Sequence, residues 1–248
     1  MTHGSPYDFE FFRHVDAGGE RSAALVVPLM QAVLPVASVL DVGCGRGAWL
    51  RTWQSLGVSD VIGVDGSHAA TGHPLAAAGA FVCADLTAPL DLGRRFDAAM
   101  CLEVAEHILP AASAELLRTL SRHADAVFFS AATPGQGGLH HVNEQPLIYW
   151  VEHFRRAGFE AFDPLRLPLQ GVTAVDPWYR YNLLFFARGP ALARLSSAAS
   201  ASRLAEGVHP RSFESPLWWL RRQVLRCLPR AVIDTLARGR HRAGQGRL

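Results

Sequence analysis

The sequence predicts an α/β protein built on a doubly wound sheet of seven strands with helices on both sides. Short apolar runs alternate with helical stretches along the first three quarters of the 248 residues. The first run ends in a glycine-rich turn that leads into a helix, and acidic residues stand at the ends of the second and third runs. Uninterrupted apolar runs are typical of parallel strands that are buried on both faces. The length suits one domain of roughly 200 residues with an extension.

Seven apolar runs are the predicted strands, and helical spacing of apolar residues predicts the helices between them. The strands are predicted at residues 38–42, 61–65, 80–85, 96–102, 126–130, 159–165 and 178–187. The helices are predicted at residues 20–34, 47–56, 67–78, 111–123 and 145–157. Gly158 follows the last of these helices as its expected C-cap. This alternation predicts right-handed crossover connections.

The last part of the chain differs in composition from the rest, so we expect a domain over 1–190 and a basic helical extension over 191–248. Residues 188–202 are consistent with a helix or a linker. Residues 217–228 place four apolar side chains on one helical face, and Pro229 ends that helix or starts another. Residues 239–248 are expected to be disordered.

Composition excludes several classes of protein. Hydrophobic residues make up 49% of the chain, which excludes disorder over most of its length. The four cysteines include no C-x-x-C pair, which argues against a disulfide framework or structural zinc and predicts a reducing, cytoplasmic location. The uncharged run at 23–40 contains two prolines and leads into the glycine turn, so we interpret it as a buried helix and strand rather than a membrane span. The N-terminal residues lack the layout of a signal peptide.

The charge is distributed unevenly. Residues 1–210 carry 15 Arg against 20 acidic residues, a net charge of −5, whereas residues 211–248 carry 9 Arg against 2 acidic residues, a net charge of +7. A mildly acidic body is a poor nucleic-acid binder. The basic extension could contact an anionic partner, a membrane surface or a second subunit, or could pack as an amphipathic helix on its own domain.

The glycine-rich turn is the strongest local signal. Residues 39–47 read Val-Leu-Asp-Val-Gly-Cys-Gly-Arg-Gly, and glycine there allows a ligand to approach the backbone closely. The turn also satisfies a loose dinucleotide fingerprint, with Asp65 placed 22 residues after Gly43. Asp41 distinguishes the two possibilities, because its carboxylate would repel a phosphate but attract an ammonium group. S-adenosylmethionine (SAM) carries an ammonium group and no phosphate.

Two further acids are placed to complete such a site. Asp65 ends the second predicted strand, where it could accept hydrogen bonds from both ribose hydroxyls. Asp85 ends the third predicted strand and could accept one from the adenine amino group. Either acid alone also fits an ordinary turn residue at the end of a strand.

Residues 39–107 resemble the class I SAM-dependent methyltransferases, which have a Rossmann-like seven-stranded sheet. The glycine turn, Asp65, Asp85 and the fourth-strand motif occur in the order that this family shows. The resemblance implies SAM as cofactor and a set of residues that contact it. These are Asp41, Gly43, Gly45, Gly47, Asp65, Gly66, Asp85, Leu86 and Cys101. A nicotinamide enzyme of the same architecture and a non-catalytic SAM-binding scaffold stay open as alternatives.

The fourth predicted strand leads into Glu103-Val-Ala-Glu106-His107. In a helical turn, Glu103, Glu106 and His107 would share one face. They could then bind Mg²⁺ or Mn²⁺, or form an acid–base pair, or play a structural role. The motif resembles the metal-binding motif of small-RNA 2′-O-methyltransferases, which adds a histidine after the fifth strand. His140 and His141 stand there in this chain.

Residues 130–138 and 141–146, together with Trp150 and residues 178–182, also resemble a bacterial branch of these methyltransferases that modifies glycans and secondary metabolites. That branch usually has glycine where this chain has His140, so His141 is the predicted functional imidazole. The predicted catalytic residues are therefore His141, His107, Glu103 and Glu106, and the same four are the predicted metal ligands. The predicted reaction is O-methylation of a small-molecule hydroxyl, such as that of a sugar, with N-methylation as the alternative.

Four aromatic side chains in the second half of the chain could serve the acceptor. Tyr149, Trp150, Trp178 and Tyr181 could stack on a sugar or an aromatic ring. The alternative is that they pack in the core of the last helix and strands.

Overall fold

The computed structural model describes residues 9–70 and 80–244, and within these residues the chain forms a seven-stranded mixed sheet with flanking helices. The strand order is β3-β2-β1-β4-β5-β7-β6. The strands are β1 (Ser38–Val42), β2 (Asp60–Asp65), β3 (Phe81–Cys83), β4 (Ala98–Leu102), β5 (Ala126–Ser130), β6 (Glu160–Phe162) and β7 (Leu184–Ala187). The predicted fold class is confirmed.

The direction of one strand was not predicted. Strands β1 to β5 are parallel to one another, whereas β7 runs antiparallel to both of its neighbours, β5 and β6. An apolar run indicates that a strand is buried on both faces but does not encode its direction, which depends on how the chain returns to the sheet.

Ten helices accompany these strands in the part of the chain that the structure describes, together with short 3₁₀ turns. The helices are α1 (Phe9–Val33), α2 (Ala48–Ser55), α3 (Ser67–Ala70), α4 (Ser113–His123), α5 (Leu147–Arg156), α6 (Arg166–Leu169), α7 (Pro177–Asn182), α8 (Ser197–Ala201), α9 (Pro216–Arg226) and α10 (Arg230–Gly244). The predicted C-cap after α5 is confirmed, because Gly158 has a φ of +83° and its N–H donates to the carbonyl of Arg155.

Two predicted elements need correction, and a third is described only in part. The predicted strand 178–187 begins with α7 instead, because Pro177 follows Asp176 in a conformation that starts a helix. The strand predicted at 80–85 ends at Cys83, since the Asp85 carboxylate accepts the N–H of Thr87 and turns the chain there. The helix predicted at 67–78 is described only at its beginning, as α3, and residues 71–79 lie outside the described residues.

The C-terminal extension also differs from expectation. Residues 239–244, which we expected to be disordered, belong to α10, and residues 245–248 lie outside the described part. Pro229 stands just before this helix, and the Ala, Leu and Arg of its sequence have high helix propensity. Packing against the sheet domain continues past residue 190, since Ala191 and Ala199 belong to the core and Leu204 N–H donates to the carbonyl of Ala161.

The core consists of one apolar layer on each face of the sheet. Phe128 and Phe185 pack in the layer that includes α1 and α2, whereas Phe129, Phe154 and Phe186 pack in the layer that includes α4 and α5. Burial of such large side chains supplies most of the favourable folding free energy. Among residues 9–70 and 80–244, none of the helices combines the length and hydropathy needed to cross a membrane.

Candidate active site

The glycine turn after β1 packs directly on the segment after β4. Gly43 has a φ of +86°, a conformation that favours glycine. A Cβ atom at this position would lie 2.2 Å from Cγ2 of Val104. The sequence predicted that a ligand would need this glycine. The structure adds a second reason, which is the contact with Val104.

Asp65 holds the glycine turn in place. One of its carboxylate oxygens accepts the Gly45 N–H at 2.7 Å, and the other accepts the Gly66 N–H at 2.6 Å. Because β1 and β2 are adjacent and parallel, with Asp41 opposite Gly63, the carboxylates of Asp41 and Asp65 reach the same edge of the sheet. Each oxygen of a carboxylate can accept more than one hydrogen bond, so Asp65 can hold the loop and still accept from a ligand.

Asp41 is the more deeply buried of these two acids, with 3% of its surface exposed. Burial, and then the neighbouring charge of Asp65, raise the pKa of Asp41 to about 8. A cationic ligand group beside the two carboxylates would offset both effects. The carboxylates of Asp41 and Asp65, which accept hydrogen bonds, therefore fit the ammonium and ribose groups of SAM.

The other predicted cofactor residues have different surroundings. Gly47 caps the start of α2 with a φ of +78°. Asp85 is exposed at the same edge of the sheet, just after β3, where the hydrogen bonds from Thr87 hold the pKa of its carboxyl below the usual value. Leu86 is half-buried. Cys101 lies in β4 with no exposed surface, packed in the apolar layer of α4 and α5. Burial, and then the charges of the neighbouring acids, raise the pKa of its thiol.

The helical turn predicted for residues 103–107 does not include Glu103. Glu103 has a φ of +56°, and the 3₁₀ turn begins only at Ala105. Glu103 is instead oriented by two amides, since Gln136 Nε2 donates to it at 2.7 Å and Asn182 Nδ2 at 3.3 Å. The expectation that Glu103 shares one helical face with Glu106 and His107 is therefore wrong.

Three of the four predicted metal ligands come together. Glu106, His107 and His141 each contribute one ligand atom, and these atoms lie within 4.8 Å of one another. The imidazole rings of His107 and His141 are perpendicular, with centroids 5.0 Å apart. Glu106 is 1% exposed, and within the described residues its Oε2 is buried with no hydrogen-bond partner. A carboxylate and two imidazoles fit a divalent cation, and one carboxylate oxygen of Glu106 has no hydrogen-bond partner in the described part of the chain that such a cation would displace.

Burial changes the ionisation of this cluster. Burial, and then the neighbouring Glu103, raise the pKa of Glu106 well above its usual value. Burial, and then the neighbouring His141, lower the pKa of His107 to about 3. His107 is therefore neutral at physiological pH, which is the form that binds metals. A pKa so far below neutrality also makes it a poor general base.

His141 is oriented by a residue that we did not predict. Its Nδ1 lies 2.8 Å from Oε1 of Glu144, whose carboxylate also accepts the N–H groups of Gly135 and Gly137. Burial opposes ionisation of Glu144, but these hydrogen bonds prevail and hold its pKa below the usual value. A Cβ at Gly138 would lie 2.0 Å from Nε2 of His141, so only glycine leaves this nitrogen accessible. His140 lies outside the cluster, exposed, with a φ of +58°.

Helix α9 of the extension holds the loop that carries these glycines. Arg222 donates from Nε and Nη2 to the carbonyl of Pro134, at 3.1 and 2.8 Å. Arg221 donates to the carbonyl of Gln136 at 2.8 Å. These contacts could not be predicted from the sequence, because they join residues more than 80 positions apart.

The sequence could have indicated only some of the other side chains near the site. The spacing of Glu144 from His141 could have indicated their pairing, whereas Asn182 fell in a segment predicted as a strand. The aromatic side chains pack rather than line a cleft. Trp150 and Tyr181 are buried, and Tyr149 and Trp178 are half-buried against the core.

Comparisons with known proteins agree with this architecture. The chain matches the family described as a methyltransferase domain over residues 16–162. No curated protein matches it. An O-methyltransferase family protein from Burkholderia thailandensis superposes with a TM-score of 0.54 at 14% identity, covering 72% of this chain and 57% of that one. The chain thus spans less than two thirds of that relative.

Two further solved structures have similar folds. The methyltransferase domain of bacterial CtHen1-C gives a TM-score of 0.51 at 17% identity, covering 69% of this chain and 98% of that one. The sugar N-methyltransferase KedS8 from Streptoalloteichus gives a TM-score of 0.50 at 20% identity, covering 69% and 87%. The family match spans more than half of the 248 residues, so the chain belongs to the methyltransferase-domain family, and it shares its fold with these solved methyltransferases.

Proposed function

We propose that this enzyme methylates a hydroxyl group of a small molecule, such as a sugar or a glycosylated metabolite. The observation that carries the proposal is the cluster of Glu106, His107 and His141 beside the glycine turn. Val104 lies between the two, since it contacts Gly43 and precedes Glu106 by two residues. A buried carboxylate and two imidazoles are the groups that assist loss of a hydroxyl proton.

The residues around the glycine turn would bind SAM, which supplies an electrophilic methyl group on its sulfonium sulfur. Asp41 would pair with the ammonium group, and Asp65 would accept from the ribose hydroxyls. Asp85 would accept from the adenine amino group, with Gly66 and Leu86 beside it. Gly43, Gly45 and Gly47 would let the backbone approach the ligand.

Glu106, His107 and His141 would hold a divalent cation, which would stabilise the negative charge that develops on the acceptor oxygen. Two imidazole nitrogens favour Mn²⁺ over Mg²⁺, because Mg²⁺ prefers oxygen ligands. Glu144 would fix the ring orientation of His141, as carboxylates commonly do for metal-binding histidines. Glu103 would position the neighbouring Glu106 carboxyl rather than bind the cation.

The comparisons leave both O- and N-methylation open, since one similar structure is of an O-methyltransferase family protein and another is of a sugar N-methyltransferase. The cluster favours the hydroxyl. A hydroxyl must lose a tightly held proton during the transfer, whereas a neutral amine attacks through its own lone pair. A buried Glu–His–His cluster assists the first reaction, and the second requires mainly alignment.

A matched pair of acceptors tests the proposal. Transfer of radiolabelled methyl from SAM is measured to aryl glycosides of glucose and of glucosamine, which differ in one hydroxyl and one amine. Methylation of both acceptors at a hydroxyl, located by mass spectrometry, supports the proposal. Methylation of glucosamine on nitrogen alone would replace it with the N-methyltransferase alternative.

The cation is tested without any acceptor. We expect Mn²⁺ to bind the metal-free enzyme in calorimetric titrations, and the variants His107→Ala and His141→Ala to lose that binding. His209→Ala is the matched control, because His209 is exposed and does not belong to the cluster. If Mn²⁺ does not bind and EDTA leaves turnover unchanged, His141 paired with Glu144 would act as a general base, and His141→Ala would then lose turnover with or without EDTA.

A further inference from the structure

Helix α9 has an unusual distribution of side chains. Its apolar residues Leu217, Leu220 and Val224, spaced three and four residues apart, lie along one side of the helix and are exposed. Leu217 is 80% exposed. Trp219, with 54% of its surface exposed, lies further around the helix, about 100° from Leu220. We call these four residues the outer face of α9. Helix α10 adds two further exposed apolar residues, Val232 and Leu236.

The polar side of α9 points inward instead. Arg221 and Arg222 contact the carbonyls of the loop at 134–136, and Arg222 also pairs with Glu214. Leu225 is buried beside them, and a Cβ at Gly137 would lie 3.1 Å from it. These contacts fix the orientation of α9 on its own domain. The outer face is therefore exposed because the opposite side of α9 is held against the domain by these contacts.

The segment that carries the outer face is strongly basic. Residues 211–248 carry 9 Arg against 2 acidic residues. Arg211, Arg226 and Arg230 are exposed at or near the two ends of α9. An apolar helical face with a tryptophan and flanking arginines is the composition that binds in the interface of an anionic bilayer.

We propose that the outer face of α9 docks this enzyme on the surface of a membrane that contains anionic lipids. Charge complementarity favours a bilayer over a second copy of the chain. A twofold interface through the outer face would bring two segments of charge +7 together, and their repulsion opposes association. An anionic membrane surface attracts this basic segment, and its headgroup region can accept the apolar side chains of the outer face.

Vesicle co-sedimentation of the full-length protein tests the proposal. We expect binding to vesicles of phosphatidylcholine with about one third phosphatidylglycerol to be roughly tenfold or more tighter than to phosphatidylcholine alone, and to weaken in high salt. The triple variant Leu217→Ser, Leu220→Ser, Val224→Ser should lose this binding. The matched control is Leu56→Ser, which removes a leucine that is 46% exposed at the end of α2.

Two further measurements separate the outcomes. Unchanged circular dichroism and thermal unfolding of the triple variant would show that it is folded, as expected for replacements at exposed positions. Tryptophan fluorescence should shift to shorter wavelength on anionic vesicles, and Trp219→Phe should reduce that shift. The proposal is overturned if the wild-type protein does not bind the vesicles, if the triple variant binds equally well, or if sedimentation shows a dimer that the triple variant dissociates without any vesicle binding.

Discussion

Glu144 holds the Nδ1 atom of His141 at 2.8 Å, and the carboxylate is itself fixed by the N–H groups of Gly135 and Gly137. This pairing leaves Nε2 of His141 as the nitrogen that joins Glu106 and His107 in the cluster. The candidate site thus depends on a carboxylate that contributes no atom to the cluster. Four predictions follow from this and related contacts.

Replacement of Glu144 by alanine should weaken Mn²⁺ binding by about 10- to 100-fold, because His141 loses the partner that fixes its ring and tautomer. The affinity for S-adenosylhomocysteine should not change, since Glu144 lies outside the glycine turn. Calorimetric titration with each ligand measures both. Glu152→Ala, which removes an exposed glutamate on α5, is the control. Unaltered Mn²⁺ affinity in Glu144→Ala would contradict the orienting role.

Gly43→Ala should lower the unfolding temperature and weaken binding of S-adenosylhomocysteine, because its Cβ would collide with Val104. The double variant Gly43→Ala, Val104→Ala should recover part of the loss, since the Cγ atoms responsible for the closest contacts are then absent. Gly45→Ala is the control for backbone strain alone, because Gly45 also has a positive φ but no atom within 4 Å of its Cβ position. Absence of any recovery in the double variant would show that steric contact with Val104 is not the cause.

Asp41 should make the stability of the free enzyme depend on pH. Burial, and then the charge of Asp65, raise its pKa to about 8 in the folded state, from about 4 when unfolded. A raised folded pKa gives stability that is fully present below about pH 4 and is lost as the pH rises to 8, by about 1.4 kcal/mol for each pH unit. Asp41→Asn should remove this contribution and exceed the wild type in stability at pH 9.

Chemical denaturation at a series of pH values measures the Asp41 effect. Saturating S-adenosylhomocysteine should reduce the pH dependence of the wild type, because a bound ammonium group lowers the pKa of Asp41. Equal pH profiles for the wild type and Asp41→Asn would argue against a buried, perturbed carboxyl at this position.

Arg222→Ala should loosen the loop at 134–138, because the Pro134 carbonyl loses both of its hydrogen bonds to the guanidinium group. Hydrogen exchange of the Gly135 and Gly137 amides should become faster, and Mn²⁺ affinity should fall with it, since these amides fix Glu144. Arg118→Ala, at an exposed arginine on α4, is the control. If exchange at the two glycines is unchanged, α9 is not what holds the loop.

The order of apolar runs was enough to determine most of the sheet from the sequence. β1 and β5 begin and end at the predicted residues, because a glycine or polar residue beside a run of buried side chains marks clearly where the strand ends. α7 and the direction of β7 could not be determined. Aromatic residues suit either element, and strand direction follows from the path of the chain through space.

The candidate site was likewise predictable from the sequence in part, and the tertiary structure decided the rest. The residue types and the spacing of Gly43, Asp65 and His107 come from local sequence, since each stands at the end of a strand or just after one. Only the tertiary structure decided that Glu103 adopts a positive φ, that Glu144 holds His141, and that Arg222 reaches the loop from α9. These contacts join separate elements or depend on a single backbone angle. No pattern of neighbouring residues specifies them, because their geometry exists only once the elements have packed.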